Sequence, residues 1–97
     1  MADSMREHDA AELGDKIRRW RMVRGLPAAT LADRAGITVS TLRKIENGLG
    51  ENVRLGALLS VARALGINRA LLDSIEPLNT EIGRLRADQM NRKRAPR

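Results

Sequence analysis

Apolar residues recur at three- and four-residue intervals along most of this chain, and glycines interrupt them at short distances. That is the pattern of short amphipathic helices separated by tight turns. Leu13, Ile17, Trp20 and Val23 mark one face of a first helix, closed by Gly25. Pro27 stands at the entry to a second helix, where its missing N–H is no loss. Leu31, Ala32 and Ala35 form the buried stripe of that helix, and Gly36 ends it after about two turns. Thr38 is a natural N-cap for a third helix, with Leu42 and Ile45 facing inward and Gly48 as the stop. Residues 50–54 read as a polar loop. Leu55, Leu58, Leu59, Ala62 and Leu65 define a fourth helix ending at Gly66. Asn68 is positioned to cap a fifth, with Leu71, Leu72 and Ile75 apolar, and Pro77 limits its continuation.

Five short helices with brief connections predict an all-α fold, a compact five-helix bundle. Residues 1–11 are expected to form an acidic, flexible leader and residues 12–78 the domain. Residues 79–97 are expected to form a basic tail, partly helical or disordered, since Ile82 and Leu85 lie only three positions apart.

Composition narrows the function. A chain of 97 residues buries only about two-thirds of its unfolded surface, so a large enclosed catalytic pocket is not expected. Trp20 is the only aromatic residue, and an aliphatic, Ala- and Arg-rich chain suits helices better than sheets. There is no cysteine and one histidine, His8, so no metal site and no other cofactor is expected. With no Gly-rich phosphate loop and no acid pair at an evident pocket, the chain is not expected to be an enzyme. No apolar run approaches the roughly 20 residues that span a bilayer, and the start lacks the pattern of a signal peptide. A cytoplasmic protein with no membrane partner is the expectation. The net charge is +6, carried unevenly: residues 1–12 sum to −3, residues 13–78 to +5 and residues 79–97 to +4. Positive charge away from an acidic leader suits a polyanionic partner, although a merely solvated basic surface would look the same.

The decisive pattern lies in residues 28–48. Two short helices can cross steeply through a tight turn only if small residues let them approach. Ala32 is small in mid-helix, and Gly36 follows four positions later, where the turn favours a positive φ. Ile37 seals the turn. Leu42 and Ile45 then fall on the face that packs against Leu31 and Ala32. The complete set predicts a helix-turn-helix.

The runs Gly25-Leu26, Leu31-Ala32, Gly36-Ile37-Thr38 and Ile45-Glu46-Asn47-Gly48 resemble the Xre type, the phage-repressor-like helix-turn-helix regulators. Ala62-Arg63-Ala64-Leu65-Gly66-Ile67 resembles that family's fourth helix and following turn. The resemblance covers residues 13–75 and implies five helices, sequence-specific operator DNA and a homodimer. It also implies an ion pair between Arg21 and Glu46 joining the first and third helices. Arg21 lies close to the apolar face of its helix, so its charge needs a partner; the alternative is that it points to solvent. Two positions depart from the family. Ala28 stands where a phosphate-gripping Gln is common, and Arg54 stands where Ser or Thr often caps the fourth helix. Asn52 is the substitute cap, which leaves Arg54 free to meet a phosphate.

In such a fold the start of the second motif helix enters the major groove. Val39, Ser40, Arg43 and Lys44 are the candidate base readers. Arg43 and Lys44 can donate to guanine O6 and N7. Val39, read as an exposed β-branched residue of no use to the core, suits a thymine methyl group. Thr38, Thr41, Asn47 and Arg54 are candidates for phosphate contacts, which position without specifying sequence. Arg18, Arg19 and Arg24 are weaker candidates that equally suit a solvated face.

Ile67, Leu71, Leu72, Ile75 and Leu78 form a stretch too apolar to leave uncovered, and a two-fold partner would bury it; completing the monomer's own core is the alternative. The leading expectation is therefore a repressor acting as a homodimer on an inverted-repeat operator in double-stranded DNA. The alternative is an antitoxin that neutralises a kinase-like toxin and represses its own operon. It rests on the run Glu81-Ile82-Gly83-Arg84-Leu85-Arg86-Ala87, which resembles the tails of some small Xre-type antitoxins and offers a toxin a C-terminal docking tail. The same tail also reads simply as a non-specific DNA arm.

Overall fold

The computed structural model describes residues 2–94, with side chains for residues 4–92. Six α-helices follow one another: α1 (Ala2–Val23), α2 (Ala28–Ala35), α3 (Val39–Glu46), α4 (Leu55–Leu65), α5 (Asn68–Ser74) and α6 (Glu81–Arg94). Short 3₁₀ turns at Gly50–Asn52 and Pro77–Asn79 precede α4 and α6. No strand occurs among the described residues. The count of five is thus one short, because the start of the tail is itself a helix. The molecule measures 54 × 32 × 23 Å, with a radius of gyration of 17.1 Å. About 13 Å is expected of a compact domain near this length, so the fold is elongated rather than compact.

α1 packs on α3 and α2 on α4. The core between them consists of Ile17, Leu31, Ala32, Ala35, Leu42, Ile45, Val61 and Leu65. Gly36 makes the helix-turn-helix possible. At φ 68° and ψ 30° it caps α2 in the left-handed region, where a Cβ would be costly. Its own N–H then bonds Asp33 O (3.1 Å) and the N–H of Ile37 bonds Ala32 O (3.0 Å), so the last carbonyls are satisfied as the chain turns. Gly66 ends α4 in the same way.

Several details depart from the apolar pattern. Residues 2–11, expected to be a flexible leader, are the first three turns of α1. They contain no Gly or Pro, and helix formers dominate. The Nε of Arg6 also donates to Glu51 Oε2 across the gap to the first 3₁₀ turn (3.0 Å). Further along, α1 turns Ile17 inward but leaves Leu13, Trp20 and Val23 exposed. Its packed line is instead Ala10, Gly14, Ile17 and Arg21. Gly14 is buried against α3, and a Cβ there would run into the carbonyl oxygen of Ile45. In α4, Val61 is buried while Leu55 and Leu59 are exposed. Asn68 does not cap α5, whose N-cap is Ile67 with no side-chain hydrogen bond. Asn52 lies in the 3₁₀ turn and does not cap α4. No single helix among the described residues is long and apolar enough to cross a membrane.

Candidate nucleic-acid interface

α3 is held from behind. Arg21 reaches from α1 with its guanidinium fork, Nε donating to Glu46 Oε2 (2.7 Å) and Nη2 to Oε1 (2.9 Å). Its Nη1 donates to Leu26 O (3.0 Å). The Arg21 and Glu46 side chains are 18% and 7% exposed, so the pair is largely removed from water. The hydrogen bonds that Arg21 donates to the Glu46 carboxylate push the Arg21 pKa above its ordinary range, outweighing the opposing effect of burial. The arrangement fixes the C-terminal end of α3 against α1, and Leu42 and Ile45 fix its inner face.

The N-terminal end is held by its cap. Thr38, extended at φ −78° and ψ 155°, accepts from Thr41 N (3.0 Å). Its own hydroxyl donates to Thr41 Oγ1 (2.9 Å). Thr38 therefore spends its donor inside the cap, and the hydroxyl hydrogen left for a ligand belongs to Thr41.

Ser40, Arg43 and Lys44 lie exposed on the outer side of α3. Among the described residues, neither the Arg43 nor the Lys44 side chain has an ion-pair or hydrogen-bond partner. Val39 does not share their freedom. It is half-buried and packs against the core, because the first turn of α3 sits over the tight turn, so the reading of Val39 as useless to the core is corrected. Asn47 is the exposed C-cap of α3, its N–H bonding Arg43 O (2.9 Å).

An open groove of about 970 Å³ runs between the helix-turn-helix turn and the start of α4. It gathers Thr38, Thr41, Lys44 and Arg54, together with Gly56 and Ser60, and no carboxylate lines it. Lys44 thus shares a wall with the phosphate candidates rather than standing with Ser40 and Arg43 alone. Arg54 occupies the N-cap position of α4 with no side-chain cap bond, so the positive end of that helix lies beside an open groove lined by Lys44 and Arg54, which suits an anion. Gly56 and Ser60 were not legible as site residues, because their place in the groove depends on how α4 packs beneath α2.

The remaining candidates divide. Arg24 is structural: its Nε donates to Leu65 O (3.1 Å), and its guanidinium lies 5.8 Å from the centroid of the Trp20 ring. Arg19 pairs with Asp15 (2.8 Å), while Arg18 is exposed. Ala28 is half-buried against the core. Ile67 also packs on the core and Leu71 is half-buried, whereas Leu72, Ile75 and Leu78 are exposed.

Two short helices joined by a tight glycine turn, the second braced at both ends, and an acid-free cationic groove beside it define a helix-turn-helix protein that binds DNA. A family model described as a helix-turn-helix domain matches residues 12–75, more than half of the chain, and the chain belongs to that family. Comparisons with curated proteins and with solved structures returned no match.

Proposed function

We propose that this chain is a sequence-specific transcriptional repressor of the Xre type that binds an inverted-repeat operator as a homodimer. One observation carries the reading: α3, braced at both ends, presents Ser40, Arg43 and Lys44 without competing carboxylates beside a groove that contains Thr41 and Arg54. Ser40 and Arg43 read base edges in the major groove, and the methyls of Val39 reach a thymine methyl with whatever surface its packing leaves. Thr41, Arg54 and Asn47 hold phosphates, and Lys44 is close enough to both sets to serve either. The exposed Leu72, Ile75 and Leu78 support a two-fold interface that sets the recognition helices about 34 Å apart, one turn of DNA. The antitoxin alternative draws no particular support from the fold.

Selection of bound fragments from genomic DNA tests the reading and is expected to return an inverted repeat. Arg43→Ala should cost about 1–3 kcal/mol and relax preference at one base position. Arg54→Ala should weaken all sequences alike and reduce the salt slope by about 0.9. No enrichment over random fragments at moderate salt refutes specific binding, and a solution mass of 10.7 kDa at micromolar concentration refutes the dimer.

A further inference from the structure

A second cationic pocket lies at the other end of α4 from the recognition groove. α4 runs from Arg54 beside that groove to Gly66 beside this pocket, a rise of roughly 16 Å over its eleven residues. The pocket is open, measures about 250 Å³ and is walled by Arg24, Arg34 and Arg63 with Leu26, Leu65 and Gly66. Among the described residues no carboxylate lines it. Three elements supply one guanidinium each: the turn after α1, α2 and the last turn of α4. Like charges gathered in this way repel one another unless an anion joins them.

Arg24 is held in position. Its Nε donates to Leu65 O (3.1 Å), and its guanidinium lies 5.8 Å from the centroid of the Trp20 ring. Its two terminal nitrogens have no hydrogen-bond partner among the described residues. Gly66 gives it room, since a Cβ there would stand 2.9 Å from Nη2. The Arg34 and Arg63 side chains have neither an ion pair nor a hydrogen bond among the described residues. Arg19, Arg69 and Arg92, by contrast, each pair with an acid one turn away. Capping the C-terminal end of α4 accounts for Arg24 and Arg63. It does not account for Arg34, which stands on α2.

We infer that Arg24, Arg34 and Arg63 form a second anion site, which takes the phosphate group of a phosphorylated ligand. A carboxylate offers two oxygens in one plane, whereas a phosphate offers oxygens in several directions, as guanidinium forks from three elements require. The pocket is smaller than those that enclose drug-sized ligands, so it grips a phosphate and leaves the remainder of the ligand outside. That phosphate belongs either to a free phosphorylated compound or to the backbone of DNA. The site does not depend on the repressor reading.

Trp20 is the single tryptophan and lies beside Arg24, so its emission reports on the site. Inorganic pyrophosphate added to the full-length protein at constant ionic strength should change that emission saturably, and sodium chloride should not. Calorimetric titration supplies the affinity independently of emission. Arg34→Ala and Arg63→Ala should each weaken pyrophosphate binding roughly tenfold, the worth of one charge-assisted hydrogen bond. The double variant Lys44→Ala, Arg54→Ala, altered at the recognition groove, should retain it. No pyrophosphate binding by either measurement overturns the site, as does binding that is lost with Lys44 and Arg54 rather than with Arg34 and Arg63. The salt dependence of binding to a random-sequence duplex then identifies the source of the phosphate. Removing Arg34 and Arg63 lowers the slope by about 0.9 if a DNA phosphate occupies the site, and leaves it unchanged if a free compound does.

Discussion

Replacing glycine by alanine at Gly14 of α1 and at Gly56 of α4 should produce opposite results. In mid-helix the exchange ordinarily stabilises by about 1 kcal/mol, since alanine loses less backbone entropy. Gly56, in the first turn of α4, has nothing within 4 Å of where its Cβ would stand. Gly56→Ala should therefore gain about 0.5–1 kcal/mol. Gly14 lies in α1, where the added Cβ would occupy the space of the Ile45 carbonyl oxygen and come within 3.1 Å of its carbon. The obstacle is backbone at the end of α3, so no rotamer change relieves it, and α3 must move away from α1. Overpacking of this kind costs about 1–3 kcal/mol, at the upper end when backbone must shift. After subtracting the propensity gain, Gly14→Ala should lose about 1–2 kcal/mol. Thermal melts followed by far-UV circular dichroism, at one protein concentration so that any dimerisation is held fixed, should show Tm lowered by roughly 5–15 °C for Gly14→Ala and raised by a few degrees for Gly56→Ala. The displacement of α3 should also weaken DNA binding. If both variants melt above the wild type, the close approach of α1 to α3 is refuted.

Two further outcomes concern the bracing of α3. Glu46→Gln should cost about 3 kcal/mol, because Arg21 remains largely buried while losing its counter-charge; a loss below 1 kcal/mol in urea denaturation would show the pair to be solvated. The folded-state pKa of Arg21 is raised above its ordinary value, so its contribution is complete below the unfolded pKa and is lost only as pH rises through the still higher folded one. The variant's deficit should accordingly stay constant in melts between about pH 6 and 9. Thr38→Ala should cost about 1 kcal/mol through loss of the cap, and Thr38→Ser should recover most of it; equal losses would assign the effect to the methyl group instead.

The turns and the inner faces of α2 and α3 were legible because they obey local rules. Gly36 needs a positive φ, Thr38 needs a free hydroxyl one turn from a first-turn amide, and Leu31, Ala32, Leu42 and Ile45 repeat at the helical period. The Arg21–Glu46 geometry was anticipated through a family resemblance together with the position of Arg21 beside an apolar face. α1 misled because, apart from Ile17, the apolar residues that mark its face lie off its packed side. Trp20 serves as a platform for Arg24, whereas the contact face is defined by Gly14, a residue with no side chain to register in any hydrophobic pattern.

The sequence by itself determined that this chain is helical, where its turns fall and which motif it carries, since backbone conformation, capping and periodicity act over a few residues. Only the tertiary structure decided which side of α1 meets α3, that Val39 is partly spent on packing, and that Lys44 shares a groove with Arg54. It also decided that Ile82 and Leu85 of α6 stay exposed. Each of these depends on how close two helices approach, and that distance is set by residues far apart in the chain whose contact no local pattern encodes.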